Sequence, residues 1–472
     1  MSYGSGFQRF VYSRSPYFIK SIIAGFYGWA TFSKKNGQFY RDHLNRLSES
    51  QWFSTQELLN LQEEKTLKFI EYAYNHIPYY RELFQQNDLV PSDIRCLNDI
   101  RKIPILTKET VRQDLERLFS EDFGKKDLIW AHTSGTTGKA LELCLSKECF
   151  QREYAFTWLH RSWGGVDRKN DKIVTFAGHP VVPIDRIKPP FWTYNLYERQ
   201  LLCSSYHLSK DNLAYYARKL DEFQPDFIHG YPSSIYLVSR YLLEHGINTI
   251  RPKCVVTASE TIFDYQRQEI ESAFGCRLLM WYGNTEMCAN IVECPDGGLH
   301  IKHEHSHVEF LDESNEPVKS GGEGRMVCTG FGNYAMPLLR YEIGDVAIPI
   351  HRECSCGRGG YLVERVVGRE EDYVVTPDGR LVGRLDHLFK DALNVVEAQL
   401  VQETTDKLLV RIVKRPGYSK EDEEAILSEA YNRLGNSIQI DLDYVDRIPR
   451  TSNGKLKFII SKIDLGKLKI PG

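Results

Sequence analysis

Asp171-Lys-Ile-Val-Thr-Phe-Ala-Gly178 is the first of three short β-rich runs, each of which is followed by a helix-like segment. The other two are Asp226-Phe-Ile-His-Gly-Tyr-Pro232 and Lys253-Cys-Val-Val-Thr-Ala-Ser-Glu260. Strands that alternate with helices predict an α/β body with a largely parallel sheet. Gly, Ser, His and Tyr lie where these strands end, which is the edge at which such sheets bind ligands.

The rest of the chain predicts two further regions around this body. Residues 1–120 are expected to be mainly helical, and Ser54 followed by Glu57 predicts a capped helix that runs to Asn75. The predicted fold class is therefore α/β, with a large multi-sheet body over residues 121–368 and a small, mobile α+β domain over residues 369–472. That small domain is expected to contain one helix and four strand-like runs: helix Ser419–Leu434, and runs Val374–Leu381, Glu397–Gln402, Leu408–Val413 and Ile438–Val445.

Composition restricts the class of protein. The chain has 472 residues, is 42% hydrophobic and carries a net charge of -3, so no basic excess points to nucleic acid. Its 11 cysteines are spread out, which indicates a reducing, cytoplasmic setting and no secreted disulfide framework. The apolar segment Pro16–Phe32 is too short to span a bilayer; a docked helix and a peripheral membrane contact are its two interpretations.

The segment His132-Thr-Ser-Gly-Thr-Thr-Gly-Lys139 predicts a phosphate-binding loop. Gly135 and Gly138 let backbone N–H groups approach phosphate oxygens, and Lys139 adds a positive charge. Hydroxyl donors come from Thr133, Ser134, Thr136 and Thr137. A Walker A loop has four residues between its glycine and the Gly-Lys pair, whereas this loop has two. The alternative interpretation is an ordinary Gly/Thr turn between strands.

Four more motifs follow this loop in order. They are Trp281-Tyr-Gly-Asn-Thr-Glu286, Arg340-Tyr-Glu-Ile-Gly-Asp345, Gly368-Arg-Glu-Glu-Asp372 and Pro449-Arg-Thr-Ser-Asn-Gly-Lys455. Each alone is weak; capping or turn carboxylates and a solvated lysine in a Gly turn are the alternative interpretations. All five in one order are a specific pattern.

With these motifs the chain resembles the adenylate-forming superfamily, and within it the phenylacetate–CoA ligase-like family and its capsular polysaccharide branch. The branch features are His76-Ile-Pro-Tyr-Tyr-Arg81, Ile103-Pro-Ile-Leu-Thr-Lys108, Pro337-Leu-Leu-Arg-Tyr341, Cys354-Ser-Cys-Gly-Arg358 and Glu397-Ala-Gln-Leu-Val-Gln402. The resemblance implies ATP-dependent activation of a carboxylic acid, giving an acyl-adenylate and pyrophosphate, followed by transfer to a nucleophile.

The resemblance also implies roles for single residues. The loop from Thr133 to Lys139 would hold the β- and γ-phosphates of ATP. Glu286 would bind Mg²⁺, which prefers oxygen ligands, and Thr285 would lie against the α-phosphate. Asp345 would bind the ribose, with Arg369 near the ribose or phosphates. Tyr282, next to Gly283, would form a flat wall for adenine.

Lys455 resembles the adenylation lysine of the superfamily. It would bridge the carboxylate and the α-phosphate during the first step. Because it lies in the small domain, that domain would have to swing after the first step. Glu371 or Asp372 is the expected hinge.

The acid pocket is expected to draw on the strand ends of the α/β body. Its candidate residues are His179, His229, Gly230, Tyr231 and Ala258. The histidines favour a polar acid such as a uronic acid, although structural histidines explain them equally well.

Two cysteine-containing segments predict a zinc site beside the nucleotide site. Cys294, His300, Cys354 and Cys356 form a closed Cys₃His set, which implies a structural zinc ion. The resemblance supports it, since several members of the family carry zinc at matching positions. His303, His305 and His307 compete with His300 as the fourth ligand, and ordinary buried cysteines are the alternative.

The acceptor of the second step stays open between two enzymes. Arg380-Leu-Val-Gly-Arg-Leu-Asp-His387 departs from the Gly-containing segment of relatives that ligate CoA. Ala258-Ser259-Glu260 and the Glu-Glu-Asp hinge also depart from the family pattern. We therefore expect an amine acceptor and an amide product, with CoA and a thioester as the alternative. A catalytically inactive, zinc-stabilised binding protein is the alternative from another class; the oligomeric state is not predicted.

Overall fold

The fold is described from a computed structural model. It describes residues 35–124, 126, 128–132, 141–178, 181–183, 186–260, 262, 264–367, 374–382, 385–389, 392, 394–414, 417–446, 448 and 458–463, together with Ile23, Gly25 and Gly28.

The described part of residues 1–120 is helical, as predicted. Its helices are α1 (Gln38–Ser50), α2 (Thr55–His76), α3 (Pro78–Gln86) and α4 (Lys108–Gln113). Ser54 caps α2, because its hydroxyl accepts from the Glu57 N–H at 3.3 Å while the Glu57 carboxylate accepts from the Ser54 N–H at 2.8 Å. The helix ends at His76, since Ile77 precedes a proline and is extended. The predicted helix and its capping box are confirmed.

The α/β body begins with a two-stranded antiparallel sheet, which is followed by a helix and then by six strands with three helices between them. These elements are β1 (Ile129–His132), β2 (Glu142–Leu145), α5 (Lys147–Trp163), β3 (Ile173–Ala177), β4 (Trp192–Asn195), β5 (Gln200–Ser204), α6 (Lys210–Phe223), β6 (Phe227–Gly230), α7 (Pro232–Glu244), β7 (Cys254–Ala258), α8 (Asp264–Phe274) and β8 (Leu278–Gly283). The three β-rich runs of the sequence contain β3, β6 and β7, so the α/β prediction is confirmed.

A second group of strands extends the same sheet. It consists of β9 (Asn290–Glu293), β10 (Leu299–Ile301), β11 (Ser306–Leu311), β12 (Gly324–Gly330), β13 (Tyr341–Ile350) and β14 (Leu362–Val366). Among the described residues, the order in the large sheet is β11-β12-β13-β14-β10-β9-β8-β7-β6-β3-β5-β4.

In the large sheet, only the neighbouring strands β5, β3, β6, β7 and β8 run parallel to one another, so the expectation of a largely parallel sheet was wrong. The parallel pairs are β3–β5, β3–β6, β6–β7 and β7–β8, and the remaining pairs are antiparallel. Crossover helices are required only for parallel neighbours, whereas the neighbouring strands from β8 to β11 in the sheet order are antiparallel and need none.

Alternate side chains of the parallel strands pack on opposite faces. Val174 and Ile228 pack with α6, α7 and α8, while Ile173 and Phe227 pack with α1 and α5. Both faces are therefore covered, as parallel sheets require. A third core joins α2 and α3 to the antiparallel strands.

The C-terminal region contains its own sheet and core. Its elements are β15 (Val374–Val375), β16 (Leu381–Val382), β17 (Val395–Thr404), β18 (Lys407–Lys414), α9 (Lys420–Leu434), β19 (Gln439–Tyr444) and β20 (Ile459–Ser461). Strands β19-β18-β17-β20 form one sheet, and a buried apolar cluster extends from Val374 to Ile459. The predicted strands after Glu397 and the helix are confirmed.

The predicted strand Val374–Leu381 was wrong, because this segment is a hairpin of β15 and β16. Thr376 donates its N–H to the Arg380 carbonyl at 2.9 Å, and Gly379 donates to the Thr376 carbonyl at 2.8 Å. Gly379 has φ +80°, which glycine adopts without strain.

No helix within the described ranges has both the length and the apolar character needed to cross a bilayer.

Candidate active site and metal centre

The parallel strands end side by side, and this register brings the candidate site residues together. Phe176 pairs with Gly230, Gly230 pairs with Thr257, and Ala258 pairs with Trp281. The carboxyl ends of β3, β6, β7 and β8 therefore meet at one edge of the sheet.

The ends of β3 and β6 are in close contact. A Cβ on Gly178 would lie 1.6 Å from the Tyr231 hydroxyl oxygen. Gly230 has φ +155°, and a Cβ there would lie 2.7 Å from both Cβ and O of Phe176. Only glycine fits at these two positions, so Tyr231 is fixed against the end of β3.

His229 faces α5 and is already occupied by protein groups. Its Nε2 lies 2.7 Å from the Thr175 hydroxyl oxygen and 3.5 Å from the Arg161 guanidinium. Burial lowers the pKa of His229 well below its ordinary value, and the charges of Arg161 and Lys35 lower it further. His229 is therefore neutral, and it anchors the strand on the face opposite the side chains of Ile228.

Tyr282 and Asp345 form the first contact between the nucleotide motifs. The Tyr282 hydroxyl donates to Asp345 Oδ2 at 2.7 Å. Burial raises the pKa of Tyr282 well above its ordinary value, and the Asp345 carboxylate raises it further. The phenol therefore remains a hydrogen-bond donor at neutral pH and orients the carboxylate.

Glu286 and Tyr341 form the second contact. Glu286 is buried, and its Oε1 accepts from the Tyr341 hydroxyl at 3.0 Å. Asn284 shapes the intervening turn, because its side chain accepts from the Cys288 N–H at 3.0 Å and donates to the Ala289 carbonyl at 3.1 Å. Thr285 lies within this turn and is half-buried. The two motifs thus meet twice, each time through a hydroxyl–carboxylate hydrogen bond, between residues that are 63 and 55 positions apart in the chain.

Arg340 supports both contacts, and its role was not identified from the sequence. It is buried and makes two 2.8 Å hydrogen bonds to the Glu309 carboxylate. It also donates to the Arg101 and Ile103 carbonyls at 3.1 and 2.7 Å. The arginine of the Arg340–Asp345 motif therefore fixes the start of β13, whose first residue is Tyr341. An arginine before a tyrosine carries no sequence signal for burial.

Several candidate residues lie outside the described residues, so their predicted roles stay predictions. They are the phosphate loop residues Thr133, Ser134, Gly135, Thr136, Thr137, Gly138 and Lys139, together with His179, Arg369, Glu371, Asp372 and Lys455.

The four candidate zinc ligands converge in space. The ligand atoms of Cys294, His300, Cys354 and Cys356 all lie within 4.8 Å of one another. Cys294 Sγ lies 3.6 Å from Cys354 Sγ, and Cys356 Sγ lies 3.3 Å from His300 Nε2. Zn–S bonds of about 2.3 Å in a tetrahedron place two sulfurs roughly 3.8 Å apart, whereas a disulfide needs about 2.05 Å. These spacings therefore fit a metal-binding cluster.

A glycine keeps space open at the centre of this cluster. A Cβ on Gly298 would lie 2.6 Å from Cys354 Sγ and 3.2 Å from His300 Nε2. The Gly298 N–H also donates to Cys294 Sγ at 3.3 Å, an interaction that favours a thiolate. The remaining histidines are engaged elsewhere, since His303 contacts Gln62 at 2.9 Å and His305 contacts Glu153 at 3.0 Å.

The metal cluster does not lie beside the nucleotide motifs, which corrects the expected position. Gly283 pairs with Asn290 at one end of β9, whereas Cys294 follows Glu293 at the other end. Cys294 and His300 flank the β9–β10 hairpin, and Cys354 and Cys356 belong to the connection before β14. A bound ion would join these two segments, which is a structural role.

Comparison with known proteins agrees with this geometry. Residues 374–462 match the family model described as the CapK C-terminal domain. Protein CapK of Staphylococcus aureus is 27% identical over 463 residues, covering 96% of this chain and 99% of that protein. Phenylacetate-coenzyme A ligase of Thermus thermophilus is 25% identical over 349 residues, covering 68% of this chain and 72% of the relative.

A solved structure shares the fold. It is 2-hydroxyisobutyryl-CoA ligase in complex with 2-HIB-AMP and CoA, which is 18% identical with a TM-score of 0.57, over 86% of this chain and 89% of that one.

The fold, the order of the motifs and their contacts define an adenylate-forming enzyme, that is, an AMP-forming ligase. Within that superfamily, the chain is similar to the phenylacetate-coenzyme A ligases and to CapK, whose C-terminal domain model matches residues 374–462.

Proposed function

We propose that this protein activates a carboxylic acid with ATP and transfers the acyl group to an amine, in surface polysaccharide assembly. The observation that carries the first step is the pairing of the two nucleotide motifs through Tyr282–Asp345 and Tyr341–Glu286. Each hydroxyl holds a carboxylate in a defined orientation beside the carboxyl ends of the parallel strands.

In the first step, an oxygen of the acid attacks the α-phosphorus of ATP. A new oxygen–phosphorus bond forms, and the bond to pyrophosphate breaks. Asp345 would accept hydrogen bonds from the ribose hydroxyls, which fixes the nucleotide. The phosphate loop and Lys455 would supply positive charge where the two anions approach each other.

Glu286 fits the role of a magnesium ligand. It is a buried carboxylate whose Oε1 is oriented by Tyr341, and a hard cation prefers such oxygens. A bound Mg²⁺ ion would neutralise phosphate charge at this position.

In the second step, the amine nitrogen attacks the acyl carbon. The bond to AMP breaks, and the nitrogen loses a proton to solvent. We propose that the small domain, residues 369–472, turns about Glu371 or Asp372 between the steps and removes Lys455 from the site.

The amine acceptor is proposed from the likeness to CapK. The CapK C-terminal domain model matches residues 374–462, and CapK itself matches 96% of the chain. Arg380, where the sequence departs from CoA-ligating relatives, donates to the Tyr206 carbonyl at 3.2 Å and to the Leu434 carbonyl at 2.6 Å. It therefore joins this region to the body by structural contacts.

CoA is the second candidate acceptor. The relatives from Thermus thermophilus and Pseudomonas putida, at 25% and 24% identity, are named phenylacetate-coenzyme A ligases. In that case the product would be a thioester.

We also propose that Cys294, His300, Cys354 and Cys356 bind a structural zinc ion. Its four protein ligands leave no open position for substrate. The cluster geometry and the space kept open by Gly298 support this assignment.

ATP–pyrophosphate exchange across uronic, amino, aryl and fatty acids tests the first step. One acid class should support exchange in the native protein. Glu286→Gln and Lys455→Ala should abolish it, whereas the exposed controls Glu313→Gln and Lys462→Ala should retain it. Full exchange by Lys455→Ala would refute its role.

The active acid is then supplied with CoA or with a panel of amines, and the products are identified by mass spectrometry. An amide is expected. A thioester without amide would refute the amine proposal and establish the CoA candidate. If the protein neither binds ATP nor releases pyrophosphate with any acid, the result would instead favour a binding protein.

A further inference from the structure

A cavity lies between the N-terminal helices and the body. It has a volume of about 340 Å³ and is lined by residues of α1, α2 and α5 and of the segments around Glu304 and Phe331. None of its lining residues belongs to the candidate active site or the metal cluster. Its volume falls within the range of small-molecule sites, which begins at roughly 300 Å³.

The cavity combines aromatic walls with cations. The Arg152 guanidinium lies 5.5 Å from the Phe39 ring centroid and 5.9 Å from that of Tyr334. Lys65 reaches the cavity from α2 and donates to the Glu304 backbone carbonyl at 2.9 Å. Within the described residues, neither cation forms an ion pair with a carboxylate.

The one buried carboxylate in the wall is neutralised elsewhere. Glu304 accepts from the Ser50 hydroxyl at 3.0 Å and pairs with Lys302 at 3.3 Å, and Lys302 does not line the cavity. Burial lowers the pKa of Lys65 to about 8, although Glu304 opposes that shift. The Lys65 ammonium is therefore incompletely solvated, and the wall retains excess positive charge.

Two buried polar atoms of the wall have no protein partner among the described residues. His43 is only 7% exposed, and its Nε2 makes no hydrogen bond; the same holds for Nε of Arg152. Buried polar atoms in folded proteins are almost always satisfied, so both atoms indicate an occupant with polar groups. His43 is neutral, because burial first and then the charge of Arg152 lower its pKa to about 3.

We propose that this cavity binds a small organic anion, with a carboxylate or phosphate group against Lys65 and Arg152 and an aromatic body between Phe39 and Tyr334. The cations supply charge-assisted hydrogen bonds to the anionic group. The rings supply apolar contact and stack with the ligand. This site is separate from acid activation and does not depend on the proposed function.

The aromatic anion 8-anilinonaphthalene-1-sulfonate is the probe, followed by its fluorescence on the full chain. Lys65→Met should weaken its binding about tenfold, since one charge-assisted hydrogen bond is lost. Lys65→Arg should restore it. Lys68→Met removes the same charge from the exposed face of the same helix, where Lys68 pairs with Glu64, and should leave binding unchanged.

Competition defines the ligand class. Benzoate and phenyl phosphate should displace the dye, and their relative potency distinguishes a carboxylate site from a phosphate site. Benzyl alcohol, which has no charge, should not. Saturating ATP should also leave the dye bound. The proposal would be overturned if Lys65→Met bound the dye as well as the native protein, or if Lys68→Met lost as much binding as Lys65→Met. It would also be overturned if benzyl alcohol displaced the dye as well as the anions do, or if ATP displaced it completely. If circular dichroism shows Lys65→Met unfolded, Arg152→Gln against the exposed Arg365→Gln makes the same comparison.

Discussion

Tyr282 and Asp345, 63 residues apart in the chain, are joined by a hydrogen bond of 2.7 Å between the phenolic hydroxyl and the carboxylate. The contact links a strand of the parallel part of the sheet, β8, to a strand of the antiparallel part, β13. The large sheet thereby brings two sequence motifs that are far apart in the chain into contact.

Loss of either member of this pair should weaken ATP binding by different amounts. Tyr282→Phe keeps the ring but frees Asp345 to rotate, so the KM for ATP should rise about fivefold, as expected for one neutral hydrogen bond. Asp345→Ala removes the ribose acceptor itself and should cost on the order of 100-fold in kcat/KM. Pyrophosphate exchange at varied ATP measures both, with the exposed Tyr215→Phe as control. An unchanged KM in Asp345→Ala would contradict the assignment.

The metal cluster should contribute to stability and not to chemistry. Native protein should contain about one zinc ion per chain by elemental analysis, because four ligands form a closed site. Cys356→Ser should release it and lower the free energy of unfolding by more than about 2 kcal/mol, since binding of a structural metal is coupled to folding.

Cys96→Ser is the matched control for the metal cluster, as this cysteine is half-buried and lies outside it. Urea unfolding of both variants, with and without chelator, gives the comparison. Full zinc occupancy in Cys356→Ser would argue against the ligand set.

The buried Arg340–Glu309 pair should be a large source of stability. Arg340→Met leaves the Glu309 carboxylate buried without its two 2.8 Å hydrogen bonds, so unfolding should become easier by about 3–5 kcal/mol. Arg365→Met breaks an exposed pair with Glu323 at 3.8 Å and should cost less than about 1 kcal/mol. Urea denaturation compares the two variants. Equal losses of unfolding free energy would show that the buried pair stabilises the fold no more than the exposed pair does.

The free energy of unfolding should fall as the pH drops below about 6.5, which is the ordinary pKa of a histidine side chain. His160 is buried against the Glu293 carbonyl at 2.8 Å, and burial first, then the charges of Arg161 and Lys302, lower its pKa to about 4. Between those two values the unfolded chain binds a proton that the folded chain excludes, so His160 stabilises the fold above this window and loses its contribution within it. The slope is at most about 1.4 kcal/mol per pH unit for one histidine.

His160→Gln should flatten the pH dependence of the unfolding free energy. The exposed His245→Gln should leave the slope as in the native protein. Urea titrations at several pH values between 4 and 7 measure it, and an unaltered slope in His160→Gln would place the dependence on other groups.

The helix beginning at Thr55 was predictable because its signals are local. Ser54, Glu57 and Pro78 lie within a few residues of the ends that they define. The strands β3, β6 and β7 were predictable for the same reason. The antiparallel half of the sheet was not predictable from the sequence. The pairing of its strands depends on which partner strand lies alongside, and that partner can be far away in the chain. The hairpin at Gly379 was also missed, since the β-branched run Val374-Val375-Thr376 is typical of the start of a longer strand.

The sequence by itself determined the chemistry that this protein offers: the order of its five motifs, the identity of its carboxylates and thiols, and therefore its class. Only the tertiary structure decided that Tyr341 orients Glu286, that Arg340 is buried against Glu309, and that His300 joins the cysteines at the far end of β9 from Gly283. The physical reason is that residue types and spacings are local properties of the chain. Burial, pairing and pKa are set by groups that come close only when distant strands align in one sheet.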